Sequence, residues 1–428
     1  MITLRQRIAA VPDARWNFLV LGSDIAFFSL GLSISSAYTI LPLFVHHLTN
    51  ANWLIALIPS LRTIGTFGPP LLVAGMVERR THVKPLMLFL TLFERLPFLI
   101  LGVAVVVLAH GYDIVLLVLF YILILMQASG GGLTFPAWLD FIARAIPDSI
   151  RGRFIGSWSG LGNVVGVGGA ALATALIVAL PWPWNYSAIF LLSFVAVVIS
   201  FILLAISREP QRTVTYAAPR AAGSAFRRWR SWQADMGQVI RTDHIFQRFL
   251  LANGIAGLAG LGNGLLAIAA LRQAHLSEEA VSLEATVLIV ATTLGNFLWG
   301  WVGDRAGHRV VLVCGALGGT VAMLLALLAH QFVLVTLAFF IFGLGTAATQ
   351  LAQLSYVVEF GTPERRPTYI GLAFLLITPT AAIGPLLGGI MADHWGYSPV
   401  FFMAAVMGLV TTLTYWLWVR DPKPRVAA

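Results

Sequence analysis

GWVGDRAGHR, at residues 300–309, is a short polar stretch between two long apolar runs. It predicts a tight hairpin loop at one membrane face, because glycine lets the backbone turn where a side chain would clash. Asp304, Arg305 and Arg309 add one acid and two bases, which can hold helix ends together. The stretch therefore predicts two membrane helices joined by a charged turn.

The composition extends this interpretation to the whole chain. Of the 428 residues, 58% are hydrophobic and only 11% are charged, whereas soluble globular chains carry about 25% charged residues. The single cysteine, Cys314, lies in an apolar run and excludes an intrachain disulfide or a cysteine-built metal site. We expect a polytopic membrane protein without a cofactor or a bound metal.

Twelve apolar runs are long enough to cross roughly 30 Å of hydrocarbon as helices. They are numbered span 1 to span 12 and lie near residues 17–45, 52–76, 85–108, 114–138, 154–180, 185–207, 246–271, 281–303, 310–330, 332–357, 368–391 and 398–419. The first run exceeds the roughly 7–15 residues of a cleavable signal core, so we expect it to be retained. The predicted domains are residues 1–207, a basic linker at 208–244, and residues 245–428.

The basic residues predict the orientation of these spans. Placing both termini and every second loop in the cytoplasm puts 24 of the 27 Lys and Arg residues there. Arg62 and Arg95 lie within spans, and only Arg272 falls outside. This asymmetry is the positive-inside pattern, so the net charge of +9 indicates orientation in a cytoplasmic membrane and not binding to nucleic acid.

The opening stretch has the spacing G-x-x-x-D-R-x-G-x-R, which resembles the loop signature of the major facilitator superfamily. The resemblance implies an all-α membrane fold with two pseudo-symmetric six-helix bundles. In that family the loop joins spans 8 and 9 and latches the cytoplasmic side. The positions carried over as gating residues are Gly300, Asp304, Arg305, Gly307 and Arg309.

Similar residues recur at a near-constant offset in the two halves of the sequence, as in transporters built from parallel repeats. Glu78 and Arg79 precede Asp304 and Arg305 by 226 positions, so they are the equivalent gating candidates in the first half. That copy of the loop lacks the glycines of the second, which weakens the transfer of the gating role. Paired glycines in spans 5 and 11 stand 220 positions apart, and they suit either rocking helices or static close packing.

The linker contains an Arg- and Trp-rich segment near residues 227–245. It predicts either an amphipathic helix on the anionic inner leaflet or a solvated basic connector.

Charged residues inside the spans cost free energy to bury in the membrane, so their presence indicates a structural or functional role. Arg62 and Glu94 each lie roughly 15 Å from the end of their helix, counted at 1.5 Å per residue. We predict an ion pair between them, acting either as a structural brace or in function. Arg95 points about 100° away from Glu94 around the helix and needs another partner.

Asp24 is predicted near the cytoplasmic boundary of span 1, which the resemblance places at the central cavity. Three interpretations stay open. The carboxyl can take up a proton when buried and release it when the cavity floods, it can lock the inner end of span 1, or it can remain solvated. Asp140 and Glu359, 219 positions apart, are expected to cap or latch the ends of spans 4 and 10. Glu284 is expected near the outer end of span 8.

Polar and aromatic side chains suggest the cavity wall. In span 10, polar residues recur at three- and four-residue steps and predict one stripe, which either lines the cavity or packs helices together. The candidate cavity residues are Gln127, Phe135 and Trp138 in span 4, Asn253 and Asn263 in span 7, and Thr349, Gln350, Gln353 and Tyr356 in span 10. Such walls favour a neutral or lipophilic substrate, or a cation if Asp24 is accessible.

The resemblance implies secondary active transport of a small molecule by alternating access, in a protein that we expect to be a monomer. One version is proton-coupled efflux of lipophilic compounds, and the other is uptake of a sugar or metabolite. Span 4 lacks the buried arginine of many proton-coupled exporters, so the subfamily stays open. An enzyme is disfavoured because the histidines lie singly at loop edges, and a non-transporting receptor is a further alternative.

Overall fold

Every predicted span contains an α-helix in the computed structural model, which describes residues 13–70, 73, 80–210, 241–358, 360 and 366–420. The helices are Ala14–Ile34 and Ile40–Leu48 (span 1), Asn52–Phe67 (2), Lys84–Leu108 (3), Asp113–Ala145 (4), Asp148–Ala179 (5), Trp184–Ile206 (6), His244–Ala259 and Leu266–Arg272 (7), Glu278–Ala306 (8), His308–Leu328 (9), Phe332–Val358 (10), Arg366–Trp395 (11) and Tyr397–Leu417 (12). Within the described residues, eleven segments are long and apolar enough to cross a membrane. Glu78, Arg79, Glu359 and most of the predicted linker lie outside the described residues.

The pattern of helix neighbours repeats between the two halves. Span 1 packs against spans 5 and 6, span 3 against 4 and 6, and span 2 against 4. The same relations recur six spans later, since span 7 packs against 11 and 12, span 9 against 10 and 12, and span 8 against 10. We call spans 1–6 the N bundle and spans 7–12 the C bundle. The bundles meet mainly where span 2 packs against span 11 and where span 5 packs against span 8.

The first span of each bundle is interrupted. Span 1 loses its helix at residues 35–39, and span 7 passes through a 3₁₀ turn at Gly260–Gly262 before its helix resumes at Leu266. Irregular backbone at membrane depth is tolerated where protein or a water-filled cavity surrounds it. Gly264 allows such an approach, because a Cβ at that position would lie 3.0 Å from Pro59 Cγ in span 2. The two interruptions therefore lie close to the interface between the bundles.

Three consecutive glycines let span 4 fit between spans 2 and 3. A Cβ on Gly130 would lie 2.6 Å from the Glu94 backbone nitrogen, and one on Gly132 would lie 2.5 Å from the Gly65 carbonyl oxygen. Small residues of this kind let helix backbones approach closely in lipid. Span 4 thus approaches span 3 closely at the position of Glu94.

Candidate functional site

A cluster of ionisable side chains occupies the core of the N bundle. Asp24 is only 4% exposed, and its Oδ1 accepts a 2.6 Å hydrogen bond from the Ser200 hydroxyl in span 6. The Arg95 guanidinium lies 4.0 Å from the same oxygen and donates to Ser200 Oγ at 2.9 Å. A second carboxylate, Glu94, lies 3.5 Å from Arg95 Nη1. Two acids therefore share one base, at a junction of spans 1, 3 and 6.

Arg95 is held on several sides. Its Nε donates to the Val197 carbonyl at 2.9 Å, and its Nη1 donates to the Thr91 carbonyl at 3.3 Å. The guanidinium carbon also lies 5.7 Å from the ring centroids of Phe28 and Phe201. Sequence reasoning left the partners of Arg95 unnamed, because they come from spans 1 and 6 and depend on tertiary packing.

The ion pair predicted between Arg62 and Glu94 is wrong. Arg62 Nη1 donates instead to Gln127 Oε1 at 3.0 Å, and Glu94 pairs with the neighbouring Arg95. The side chains of Glu94 and Arg95 leave the helix about 100° apart, yet they are long enough to converge. Gly131 makes room for this arrangement, because a Cβ there would lie 2.7 Å from Glu94 Oε1.

Asp24 lies deeper than predicted. Its helix begins at Ala14, so Asp24 is about 15 Å from the inner end at 1.5 Å per residue. Arg95 is similarly about 17 Å from the start of its helix at Lys84. Both groups are therefore near mid-depth, and the burial of Asp24 contradicts the interpretation of a solvated carboxylate at the boundary.

A second polar region follows the outer side of this cluster. Arg62 and Gln127 join spans 2 and 4, and Tyr38 lies within electrostatic range of Arg62 at the break in span 1. The Tyr38 ring meets Phe342 of span 10 with its centroid 5.6 Å away in an edge-to-face arrangement. Side chains of both bundles therefore converge at this depth.

Polar contacts join the two bundles at the end predicted to face outward. Asp393, near the end of span 11, accepts hydrogen bonds from the backbone N–H groups of Asn52 and Trp53 at 2.7 and 3.0 Å. His47 lies 3.0 Å from Glu278 at the start of span 8, and its ring stacks on Trp182 with a centroid distance of 4.4 Å.

Arg272 is the central residue of this outer network. It donates to the Asn50 carbonyl at 3.0 Å, to Asn52 Oδ1 at 3.1 Å and to His46 Nδ1 at 2.8 Å. Asn52 Oδ1 also accepts from the Tyr397 hydroxyl at 2.6 Å. The sequence marked Arg272 only as the lone external base, because the interface that it binds is formed by distant parts of the chain.

The profile of the Major Facilitator Superfamily matches residues 249–428. The match to this family covers the C bundle.

Curated relatives match part of the chain. Multidrug resistance protein MdtG of Dickeya zeae (strain Ech586) is 30% identical over 151 residues, which cover 33% of this chain and 36% of the relative. MdtG of Salmonella typhi is 26% identical over 140 residues, covering 32% and 33%. The chain thus matches about a third of the length of these curated relatives.

Among solved structures, a POT family transporter in complex with 5-aminolevulinic acid superposes with a TM-score of 0.73 at 12% identity, covering 97% of this chain and 99% of that one. The D-xylose-proton symporter superposes with a TM-score of 0.65 at 15% identity, covering 95% and 97%. At these identities the likeness concerns the fold alone.

The signature stretch of the superfamily differs from the predicted hairpin loop. Span 8 stays helical through Ala306, and only Gly307, with a φ of 89°, makes the turn. The turn can be this short because glycine readily adopts a positive φ, so that one residue reverses the chain direction. Gly300 is not required for space, since no heavy atom lies within 4 Å of a Cβ built there.

The charges of that stretch have separate roles. Asp304 and Arg305 are exposed, and the Arg305 guanidinium lies 4.2 Å from the Trp301 ring centroid. Arg309 donates to the carbonyls of Tyr415 and Trp416, where a helix end leaves carbonyls unbonded. Arg309 therefore ties span 9 to span 12 within the C bundle.

Asp140 belongs to a charged network at the end of the N bundle that is predicted to face the cytoplasm. It accepts from Arg144 at 2.5 Å, and Arg144 also lies 3.1 Å from Glu209. Glu209 accepts from the backbone N–H groups of Val83 and Lys84 at 2.7 and 3.1 Å, so it caps span 3. Sequence reasoning missed Glu209, although an acid directly after an apolar span was a usable signal.

The cavity candidates of span 4 fall near the charged cluster. Gln127 binds Arg62, and the Trp138 side chain reaches the Asp24 carboxyl. Phe135 is 46% exposed and stacks on Trp138 with ring centroids 6.3 Å apart.

The polar residues predicted as one stripe on span 10 have different neighbours. Gln353 donates to Asn253 of span 7 at 2.9 Å, and Gln350 is exposed, whereas Thr349 packs against Gly315 of span 9. Tyr356 is fully buried, and its hydroxyl donates to the Arg420 carbonyl at 2.6 Å. Polar residues of span 10 therefore contact both span 7 and span 9, as helix-packing residues do.

Two further residues singled out in the sequence are Asn263 and Glu284. Asn263 lies at the interruption in span 7, with its Nδ2 3.3 Å from a Cβ built on Gly260. Glu284 is fully buried in span 8 and accepts a 2.7 Å hydrogen bond from the Thr336 hydroxyl of span 10.

Proposed function

We propose that this protein is a secondary active transporter of the major facilitator superfamily that exports small neutral or lipophilic solutes by alternating access. In this proposal, export is coupled to protons through Asp24. The observation that carries the coupling is that Asp24 and Glu94, both buried, share the single base Arg95. The names of the MdtG relatives favour drug-like solutes and the direction of export.

The charge balance of the cluster supports a proton as the coupling ion. With both carboxyls ionised, Asp24, Glu94 and Arg95 sum to one negative charge, and the more distant Arg62, which hydrogen-bonds to Gln127, offsets it only in part. An unbalanced charge is costly at mid-depth in a membrane. One bound proton balances that charge while the cluster is dry. Water entering the cluster stabilises the second carboxylate, and the proton can then leave. The site therefore holds a proton while it is buried and releases the proton when water enters.

Asp24 is the better placed of the two acids for this exchange. It lies on span 1, the interrupted helix, and its partner Ser200 lies on span 6, so a movement of span 1 changes its hydrogen bonding directly. Trp138 reaches it, and the Phe135 ring stacks on Trp138. A lipophilic solute can stack on such rings beside the carboxyl, which links occupancy of the cavity to the proton site.

Transport into proteoliposomes tests this proposal. A fluorescent lipophilic dye is followed with and without an imposed pH gradient in wild type, Asp24→Asn and Asp113→Asn. Asp113 is an exposed carboxylate at the outer start of span 4 and serves as the matched control. We expect gradient-driven dye movement in wild type and Asp113→Asn, and at least a tenfold slower rate in Asp24→Asn.

The other outcomes are also informative. Equal gradient-driven rates in wild type and Asp24→Asn would remove the proton role. Movement of a sugar or metabolite together with protons would favour the uptake symporter. Dye binding without any flux would favour a receptor.

A further inference from the structure

We infer that Asp393 acts as a conformational lock, capping the first turn of span 2 from the opposite bundle and holding the outer end closed together with Arg272. This inference rests on the alternating access of the proposed function, but it requires neither a particular solute nor a proton. In this inference, residues at the outer interface set the ratio of the outward-open to the inward-open state.

The first turn of span 2 has no cap of its own. The residue before the helix is Ala51, and no side chain of the helix start accepts a capping hydrogen bond. The first four N–H groups of any helix lack partners within it and carry partial positive charge. In this protein Asp393 of span 11 takes two of them, with its Oδ1 and Oδ2 on Asn52 and Trp53 at 2.7 and 3.0 Å.

The approach of span 11 is built for this contact. Gly389 lies one turn before Asp393, and a Cβ there would lie 2.6 Å from the Ala56 Cβ and 2.6 Å from the Trp53 Cα. Residues four apart lie on the same helix face, so the glycine and the aspartate face span 2 together. The close approach permits the carboxylate to reach backbone N–H groups, which are short fixed donors.

Arg272 reinforces the same point from span 7. It donates to Asn52 Oδ1, so the Asn52 residue is bound through its backbone by Asp393 and through its side chain by Arg272. Arg272 also binds Asn50 and His46 of the N bundle. The two ionised groups of the C bundle therefore converge on one short segment, residues 46–53, that joins spans 1 and 2.

A cap supplied across the interface acts differently from one within a helix. A cap within one bundle stabilises the outward-open and the outward-closed states equally and leaves their ratio unchanged. The Asp393 cap exists only while spans 2 and 11 touch at their outer ends, so it stabilises the closed state alone. Losing a helix cap shifts a two-state ratio roughly five- to thirty-fold. Removal of Asp393 should therefore favour outward opening by about that factor.

Distances between spin labels across the outer end test the inference directly. The labels are placed at His110→Cys and His330→Cys, with Cys314→Ser removing the single native cysteine. His110 and His330 are exposed, lie in the outer loops between spans 3 and 4 and between spans 9 and 10, and so report the separation of the two bundles. Pulsed electron double resonance on the labelled protein in lipid nanodiscs then gives the populations of short and long distances.

We expect the short distance to dominate in the parent protein. Asp393→Ala should raise the ratio of long to short distances roughly five- to thirty-fold. Asp393→Asn should have a smaller effect, because the amide oxygen keeps one acceptor. His394→Ala is the matched control: His394 is the next residue on the same exposed helix end, and its ring contacts the Ile390 carbonyl of its own helix.

Two results would overturn the inference: unchanged populations in both Asp393 variants, or an equal shift in His394→Ala. If Asp393→Ala fails to fold, Asp393→Asn carries the test alone. The measurement uses no solute and no gradient, so an absence of proton-driven dye export would refute the proposed function and leave this result standing.

Discussion

The N and C bundles have the same helix neighbours, but their cores differ in charge. In the N bundle, Asp24, Glu94 and Arg95 meet at mid-depth. In the C bundle, the first and fourth spans are joined by Asn253 and Gln353, which share one neutral hydrogen bond of 2.9 Å. Among the described residues, the C bundle builds the same packing without a carboxylate–base pair in its core, where the buried Glu284 accepts from a threonine hydroxyl, so the fold does not need an ion cluster. The charges of the N bundle are therefore better explained by coupling than by architecture.

The largest expected effect comes from removing the shared base. Arg95→Ala leaves two buried carboxylates without a cation, and breaking a buried ion pair in this way costs about 3–5 kcal/mol. Thermal unfolding of the protein in detergent should show a large loss of stability. Arg305→Ala is the control, because Arg305 is exposed and contacts only a surface ring among the interactions described above.

The charge origin of this loss has its own test. The triple variant Arg95→Ala, Asp24→Asn, Glu94→Gln carries no charge at the cluster and should regain much of the stability that Arg95→Ala loses. Equal stabilities of the single and the triple variant would show that packing, and not charge, dominates the cluster.

The contrast between the bundles also separates what the sequence predicts from what it does not. Twelve spans, two related halves and the depth of Arg62 and Glu94 follow from hydropathy and the helical rise, which are local properties. The Arg95 partners do not follow, because Asp24 and Ser200 are 176 positions apart and meet only through packing. The outer network is hidden for the same reason, since Asn52 and Asp393 are 341 positions apart.

The error at the signature stretch has a different origin. The charged residues and glycines at 300–309 suggested a loop, but a helix tolerates them all except at Gly307. Composition alone does not reveal which glycine of a run makes the turn. The local signal was therefore correct about the position of the turn and wrong about its length.

Equivalent glycines of the two bundles give an effect of intermediate size. Gly168 and Gly388 stand 220 positions apart, yet a Cβ on Gly388 would overlap the Leu261 carbonyl oxygen at the interrupted part of span 7, whereas nothing lies within 4 Å of one on Gly168. Overpacking against immobile backbone costs about 1–3 kcal/mol, and Gly→Ala in an open helix position gains up to about 1 kcal/mol.

Thermal unfolding should therefore show Gly388→Ala to be destabilised and Gly168→Ala to be unchanged or stabilised. The comparison is internal, since each variant adds the same methyl group to a glycine in spans 5 and 11. A loss of the same size in both would mean that the two spans pack alike, and that the interruption of span 7 does not set the requirement at Gly388.

The smallest expected effect concerns the neutral pair of the C bundle. Hydrogen bonds between membrane helices contribute about 0.6 kcal/mol on average, because polar groups find other partners when a pair is broken. A double-mutant cycle of Asn253→Ala and Gln353→Ala should give a coupling energy near that value. A coupling energy of several kcal/mol would place the C bundle pair on the same scale as the Arg95 cluster. The difference between the bundles would then lie in whether their core side chains are charged and not in how strongly their cores are held, which would remove the reason for assigning coupling to the N bundle alone.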